Sequence, residues 1–429
     1  MTDSFSADSN YTHSRVPENQ TVQGWHIALV LTGITITLPA FLVGAEIMTA
    51  LGTVNGMIAI FIGGSILGAL GVINMSLAAR LRMSTYQILA FAFGDLGSRM
   101  VSGFIAFTLL GWFGVTASLF GRALAPAIKE IFDLSLSPAV LSLAGSALMT
   151  VITIFGFRAM DLLSRLTVPF MLFILGLGLY NVLSAAGEMP MMALDGRPSA
   201  QISGLGAGIS LMVGSFMVGL TVVPDVARFL RRRRDAVPAS LLSYVLAAPL
   251  ILIGAGLPAL ISGDSDLITL MYKSGLGLPA LFVMVFATLT TNISNLYSSS
   301  LGMAQLFPRA ASWKITVGAG AIGGLMAVAG IMEHLVSFLV FLSVAVPPIA
   351  GIYVTDFMMN AAPHKKTPLP GISLRAMLVW VLAVGLAYAG SLTGLSPTGI
   401  AACDSVIVAV LAYVVGHKWF KAKIAGALH

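Results

Sequence analysis

The chain has 429 residues, of which 57% are hydrophobic and only 9% charged, with a mean hydropathy of +0.95. A soluble domain carries about 25% charged residues, so this composition excludes a water-soluble surface and points to a polytopic membrane protein. The net charge of +6 is a matter of topology rather than nucleic-acid binding, and the one cysteine, Cys403, excludes disulfides, thiolate metal sites and redox pairs.

The first 24 residues are polar, with no basic segment leading into a short apolar core, so residues 1–24 read as a disordered cytoplasmic tail without a signal peptide. Crossing ~30 Å of hydrocarbon takes about 20 apolar residues. Twelve such runs follow, near 25–51, 55–79, 100–127, 136–157, 160–184, 203–229, 237–262, 277–305, 313–331, 335–356, 373–393 and 397–417. None alternates at every second residue, as barrel strands would. The expected fold class is an all-α integral membrane protein, and its predicted helices are called spans 1 to 12.

With both termini cytoplasmic, 19 of the 23 Lys and Arg residues fall on the inner side, among them the Arg231–Arg234 run. Only Arg122, Lys129, Arg197 and Lys273 fall outside, which obeys the positive-inside rule. Losing one span would scramble that skew. The expected location is the cell (inner) membrane, with the lipid bilayer as surroundings and a short cytoplasmic tail at 418–429.

Span 1 carries Pro39 and Gly44 in its middle, and span 6 carries Gly214 and Gly219 with Pro224 near its cytoplasmic end. Proline removes a donor and clashes with the preceding turn, so the carbonyls around Thr35 are expected to lose their partners. Broken helices at matching places in two halves mark transporter sites. The order fits an inverted repeat of five plus five spans, residues 25–184 and 203–356, with 373–417 added. Glycine and proline are also frequent in any membrane helix, which is the plainer explanation.

Several stretches together resemble the nucleobase–cation symporter family, in its bacterial cytosine permease branch. They are GWFGV at 111–115, VGSF at 213–216, and TTN at 290–292 with LY at 296–297. PDVARF at 224–229 and FLSVAVPPIAGIYVTDF at 341–357 support them. The resemblance runs from about residue 25 to 420 and implies the leucine-transporter type of fold, with alternating access driven by a cation. It also implies that Trp112 and Phe216 clamp a flat heterocycle between two aromatic faces, with Ser215 beside a helix break near the ring edge. Stacking on an aromatic is worth ~1–3 kcal/mol per base. For Phe216 the competing role is lipid or core packing.

The adjacent Thr290 and Thr291 offer hydroxyls, and the carbonyl of Ala287 lies one turn earlier. The resemblance adds the carbonyls of Gly33 and Ile36 to complete a Na⁺ site; each threonine can instead bond back along its own helix. Two positions depart from the cytosine pattern: Leu109 replaces a Gln three residues before Trp112, and Ala287 replaces an Asn three residues before the threonine pair. The chain thus keeps the aromatic platform and reads a different edge or ring, with Asn292, Ser294 and Asn295 as replacement contacts. Glu46, in the outer half of span 1, is a costly intramembrane carboxylate; it binds substrate or a proton, or reaches the outer vestibule. Asp225 and Asp356 read as structural pairs at cytoplasmic helix ends, and Asp404 in span 12 has no assigned role.

The function expected is a secondary importer of a nucleobase or related small heterocycle, coupled to Na⁺, with no organic cofactor and acting as a monomer. Proton coupling, or an amino-acid or amine substrate on the same fold, is the alternative. An enzyme is disfavoured because the six His (His13, His26, His334, His364, His417 and His429) lie at helix ends, loops or tails. No GK[ST] phosphate loop and no filter-like repeat is present, which argues against ATP drive and a channel.

Overall fold

The computed structural model describes residues 11–186, 194–199, 202, 204–264, 267–273, 275–334, 341–359 and 371–426. Among the described residues, seven helices are long and apolar enough to cross a membrane, and five more apolar helices have stretches of 10–17 residues. Residues 1–10 of the expected tail, the loop at 187–193 and the start of span 10 at 335–340 lie outside the described residues.

Span 1 is two pieces. The first half, Gly24–Thr35, stops where Ile36 and Thr37 leave helical geometry, and the chain resumes as Leu38–Leu81. Pro39 sits in the first turn of the second piece, where its missing N–H costs nothing. The turn expected between spans 1 and 2 is a sharp kink inside Leu38–Leu81: two helices meet at Gly52, which leaves helical geometry (φ 74°, ψ −178°). That left-handed turn suits glycine. It is also crowded: a Cβ there would lie 2.5 Å from the Leu194 carbonyl oxygen and 2.7 Å from the Gly196 nitrogen. Residues 194–197 fasten onto this corner through Thr53 N–H to Leu194 O (3.1 Å) and Arg197 N–H to Thr49 O (2.8 Å).

A capped linker helix, Thr85–Phe93, leads from span 2 into the long span 3, Asp95–Phe132. Pro138–Ile154 and Phe157–Ala186 form spans 4 and 5. Span 6, Leu205–Thr221, is continuous through Gly214 and Gly219, so the break expected there is displaced. It falls at Val222–Val223, before a short stub at Pro224–Ala227. Those two glycines leave open space rather than a backbone turn: a Cβ on Gly219 would meet nothing within 4 Å, and one on Gly214 would meet only Ser343, at 3.9 Å.

Span 7 runs through Ala236–Ser240, a π-helical segment at Leu241–Ala247, and Ala248–Ser262. The second half of span 1 lies so close to it that a Cβ on Gly44 would sit 2.3 Å from the Leu252 carbonyl, and one on Gly256 2.3 Å from the Gly44 carbonyl. Small residues permit this approach, which replaces the hydrophobic drive that helices lack in lipid. Span 8 is Gly277–Leu306 and packs along span 3. Spans 9, 10, 11 and 12 are Ser312–Val328, Phe341–Met359, Leu374–Thr393 and Ala401–Gly426.

The expected disordered tail needs correction over residues 11–23. Val16 is buried, its N–H donates to Arg82 O (3.0 Å), and Val22 pairs in parallel with Leu230. Asp404 also gains a role, since its carboxylate accepts from the Thr398 N–H (3.1 Å) and hydroxyl (2.7 Å) and from the Ser396 hydroxyl. It ties down the turn entering span 12. Asp356 accepts from the Tyr413 hydroxyl (2.9 Å), which receives Arg375 (2.6 Å), so spans 10, 11 and 12 share one polar knot.

Candidate functional site at the helix breaks

A helix that stops leaves its last carbonyls without donors. In span 1 the Thr32 carbonyl still receives the Ile36 N–H at 3.0 Å. The carbonyls of Gly33 and Ile34 would look to residues 37 and 38, beyond the break, and that of Thr35 to Pro39, which has no N–H. Span 8 supplies replacements. The Thr290 hydroxyl is 2.9 Å from Gly33 O and the Thr291 hydroxyl is 3.3 Å from Ile34 O.

Thr290 also lies 3.1 Å from Ala287 O and 2.9 Å from Phe286 O, so its back-bond along span 8 and its bridge to span 1 share one hydroxyl. Four of the five oxygens expected for the cation, those of Gly33, Ala287, Thr290 and Thr291, are thereby gathered at the break. Ile36 is fully buried at the end of the first half-helix, but the carbonyl that meets Thr291 is that of Ile34. The neighbourhood is uncharged, with Val168 and Ser164 of span 5 packed at Gly33. Such a set of hydroxyl and carbonyl oxygens suits a hard monovalent cation, which takes its ligands from oxygen dipoles.

Asn292, next to the threonine pair, is fully buried and spoken for. Its amide donates to Phe113 O (3.1 Å) and approaches Met149 Sδ (3.3 Å), while its oxygen pairs with the Thr116 hydroxyl. This corrects its expected role as a replacement substrate contact. Its positional consequence is larger: the bond to Phe113 sets the Trp112 level of span 3 against the Thr290–Asn292 level of span 8. Leu109 and Trp112 are three apart and share a helix face; Leu109 is buried, and Trp112 is partly buried against the core. Ala287 is fully buried.

Phe216 is likewise partly buried against the core. Ser215 corrects an expectation. It stands in unbroken helix, and its hydroxyl donates to Leu211 O at 2.6 Å, so neither a free hydroxyl nor free N–H groups arise there. Glu46 is exposed, on the face of span 1 away from Gly44 and span 7.

Two residues the motifs did not single out complete the second break. Asn74 of span 2 donates to Leu220 O at 2.7 Å, and the Tyr353 hydroxyl of span 10 lies 2.8 Å from Thr221 O and 2.9 Å from Asn74 Oδ1. Both are buried. An asparagine within an apolar run was the available signal for the first, since a buried amide needs partners.

Comparison with known proteins agrees with this architecture. The family model for permeases of cytosine/purines, uracil, thiamine and allantoin matches residues 15–416. The cytosine permease of Escherichia coli (strain K12) is 28% identical over 426 residues, covering 99% of this chain and 98% of that protein. The solved structure of Mhp1, a nucleobase-cation-symport-1 family transporter in a closed conformation with bromovinylhydantoin bound, superposes with a TM-score of 0.83 at 18% identity, covering 95% of each chain. A Na⁺-coupled sialic acid symporter in a substrate-bound outward-open state gives 0.70 at 12% identity, covering 96% of this chain and 92% of its own. These relatives are transporters rather than enzymes, and the fold is the leucine-transporter type that the family resemblance implied. The chain therefore belongs to the cytosine/purine permease family and is a multi-pass membrane permease, a secondary transporter.

Proposed function

We propose that the protein imports a nucleobase or related small heterocycle by alternating access, driven by Na⁺, across the cell membrane with both termini in the cytoplasm. The observation that carries the cation part is the meeting of Thr290 and Thr291 with the Gly33 and Ile34 carbonyls at the break of span 1. A cation entering there takes lone pairs from oxygens already turned inward, and it holds span 1 to span 8. Substrate then lies against Trp112, one helical level away, with Phe216 as the second aromatic face. The cytosine permease and Mhp1 relatives support a flat heterocycle as cargo.

Leu109 and Ala287 give the site an apolar rim where a cytosine carrier is expected to present amides. A heterocycle that makes fewer edge hydrogen bonds suits such a rim, because a buried polar edge left unpaired costs ~1–3 kcal/mol per group. Glu46, exposed on the outer half of span 1, is assigned to the outer vestibule, where it attracts the cation or an amino group on the cargo.

The test is a thermal-shift screen of purified protein against nucleobases, hydantoins and amino acids, each with Na⁺ and with choline. A ligand that binds the native state raises apparent stability by mass action. A heterocycle that stabilises only with Na⁺ is the expected result. Stabilisation by an amino acid alone would replace the cargo, and equal shifts in choline would remove the sodium coupling.

A further inference from the structure

Among the described residues, four buried side-chain atoms have no hydrogen-bond partner: Thr85 Oγ1, Tyr86 Oη, Ser102 Oγ and Asp225 Oδ2. All four belong to one end of the molecule. Thr85 and Tyr86 open the linker helix, Ser102 lies in the first turns of span 3, and Asp225 belongs to the stub beyond the span 6 break. The other Asp225 oxygen accepts the Thr85 N–H at 2.8 Å, which joins stub to linker. The Tyr86 ring is wedged against span 8, where a Cβ on Gly302 would come within 2.8 Å of it and 3.0 Å of Ala106 in span 3.

Arg228, at the end of the same stub, is fully buried. Its donors reach three elements: Asp225 O of the stub (3.2 Å), Tyr11 O of the N-terminal segment (3.1 Å) and the Tyr297 hydroxyl of span 8 (2.7 Å). A buried guanidinium is tolerated only while hydrogen-bonded. These bonds hold the stub shut against span 8, while the orphaned atoms beside it favour the opposite, since water admitted on opening would satisfy them.

We propose that the stub together with the residues that follow it, 224–230, is the cytoplasmic gate of this transporter, pinned closed by Arg228 on Tyr297 and loaded toward opening by the unpaired polar atoms of Thr85, Tyr86, Ser102 and Asp225. The gate hinges at the Val222–Val223 break, where helical hydrogen bonding is already interrupted. Arg228 and Tyr297 are positioning residues that set how often the inner side opens. This inference rests on the transporter reading and on its orientation.

The experiment reads opening without needing a substrate. In full-length protein with Cys403→Ser, a Ser102→Cys reporter is labelled with a membrane-impermeant maleimide in inside-out and right-side-out vesicles. Tyr297→Phe, which removes only the hydroxyl that receives Arg228, should speed labelling from the cytoplasmic side about tenfold, equivalent to ~1.4 kcal/mol. Tyr86→Phe, which removes an orphaned hydroxyl, should slow it, by about fivefold on the cost of an unpaired buried group. A merely structural role for Tyr297 and Tyr86 would not move the two rates in opposite senses on one side of the membrane. Rates that are unchanged, or that shift together, overturn the gate. Should Tyr297→Phe fail to fold, Tyr86→Phe decides alone: slowed labelling upholds the loading and an unchanged rate overturns it. Acceleration confined to right-side-out vesicles overturns the orientation instead, and the thermal-shift screen tests the cargo independently.

Discussion

The breaks in spans 1 and 6 solve one backbone problem with different chemistry. At Ile36–Thr37 the freed carbonyls of Gly33 and Ile34 meet two small hydroxyls of a neighbouring helix, at 2.9 and 3.3 Å. At Val222–Val223 the carbonyls of Leu220 and Thr221 meet an asparagine amide and a tyrosine hydroxyl, and a buried Asp and Arg follow within six residues. Hydroxyl oxygens keep lone pairs that a cation can share. An amide donor has none on its nitrogen, and the Tyr353 hydroxyl is already shared between Thr221 O and Asn74 Oδ1, so together they close the second break. The first break is therefore suited to binding and the second to holding, and charge belongs with the second.

The largest expected effect breaks this comparison at its binding side. Replacing Thr290 and Thr291 together by Ala strands the Gly33 and Ile34 carbonyls and removes two cation ligands. At ~1–3 kcal/mol per lost partner, Na⁺-dependent stabilisation should vanish, as read by thermal shift across a sodium titration. Retained sodium dependence would place the cation elsewhere. Next comes Asn292→Ala, which takes the side-chain amide from the Phe113 carbonyl and one of the partners of the Thr116 hydroxyl, whose bond to Trp112 O remains. A loss of ~1–3 kcal/mol should lower the apparent Tm with and without ligand. An effect on ligand affinity alone would return Asn292 to the binding site.

Trp112→Ala follows, with a stacking loss of ~1–3 kcal/mol, or about 5- to 150-fold in Kd, while the Na⁺-induced shift in cargo-free protein persists. Unchanged affinity would remove the ring from the site. The holding side is sharpened by Asn74→Leu, which strips the donor from Leu220 O. A penalty of ~1–3 kcal/mol in stability, with sodium affinity within about twofold, would confirm that this break is structural. Smallest is Glu46→Gln, whose exposed carboxylate should change the uptake rate at low ionic strength and little at high salt, because screening weakens an exposed charge. A change in Kd that salt does not alter would put Glu46 on the substrate.

Much of this was legible from residue order. The hydropathy runs located the apolar helices, and Pro39 located the first break within a few residues. The threonine pair beside it was readable because hydroxyls are scarce in apolar helices and these two coincide with family motifs. The second break was misjudged since Gly214 and Gly219 invite one, while the local sequence does not record that span 6 stays helical around them. Ser215 was misjudged with it. Asn292 looked available because sequence cannot tell a polar side chain facing a cavity from one already bonded across to span 3. The packed segment at residues 11–23 was hidden by polar composition: Tyr11, Thr12, Val16 and Val22 are among its anchors, and their partners lie far along the chain.

The corner at Gly52 carries a mechanical consequence. Because spans 1 and 2 meet at this kink, and residues 194–197 are bonded to both sides of it through Thr49 and Thr53, a change in the angle between the two helices carries that segment with it. Two helices and a connecting segment thus share one joint, much as a crank turns two shafts together.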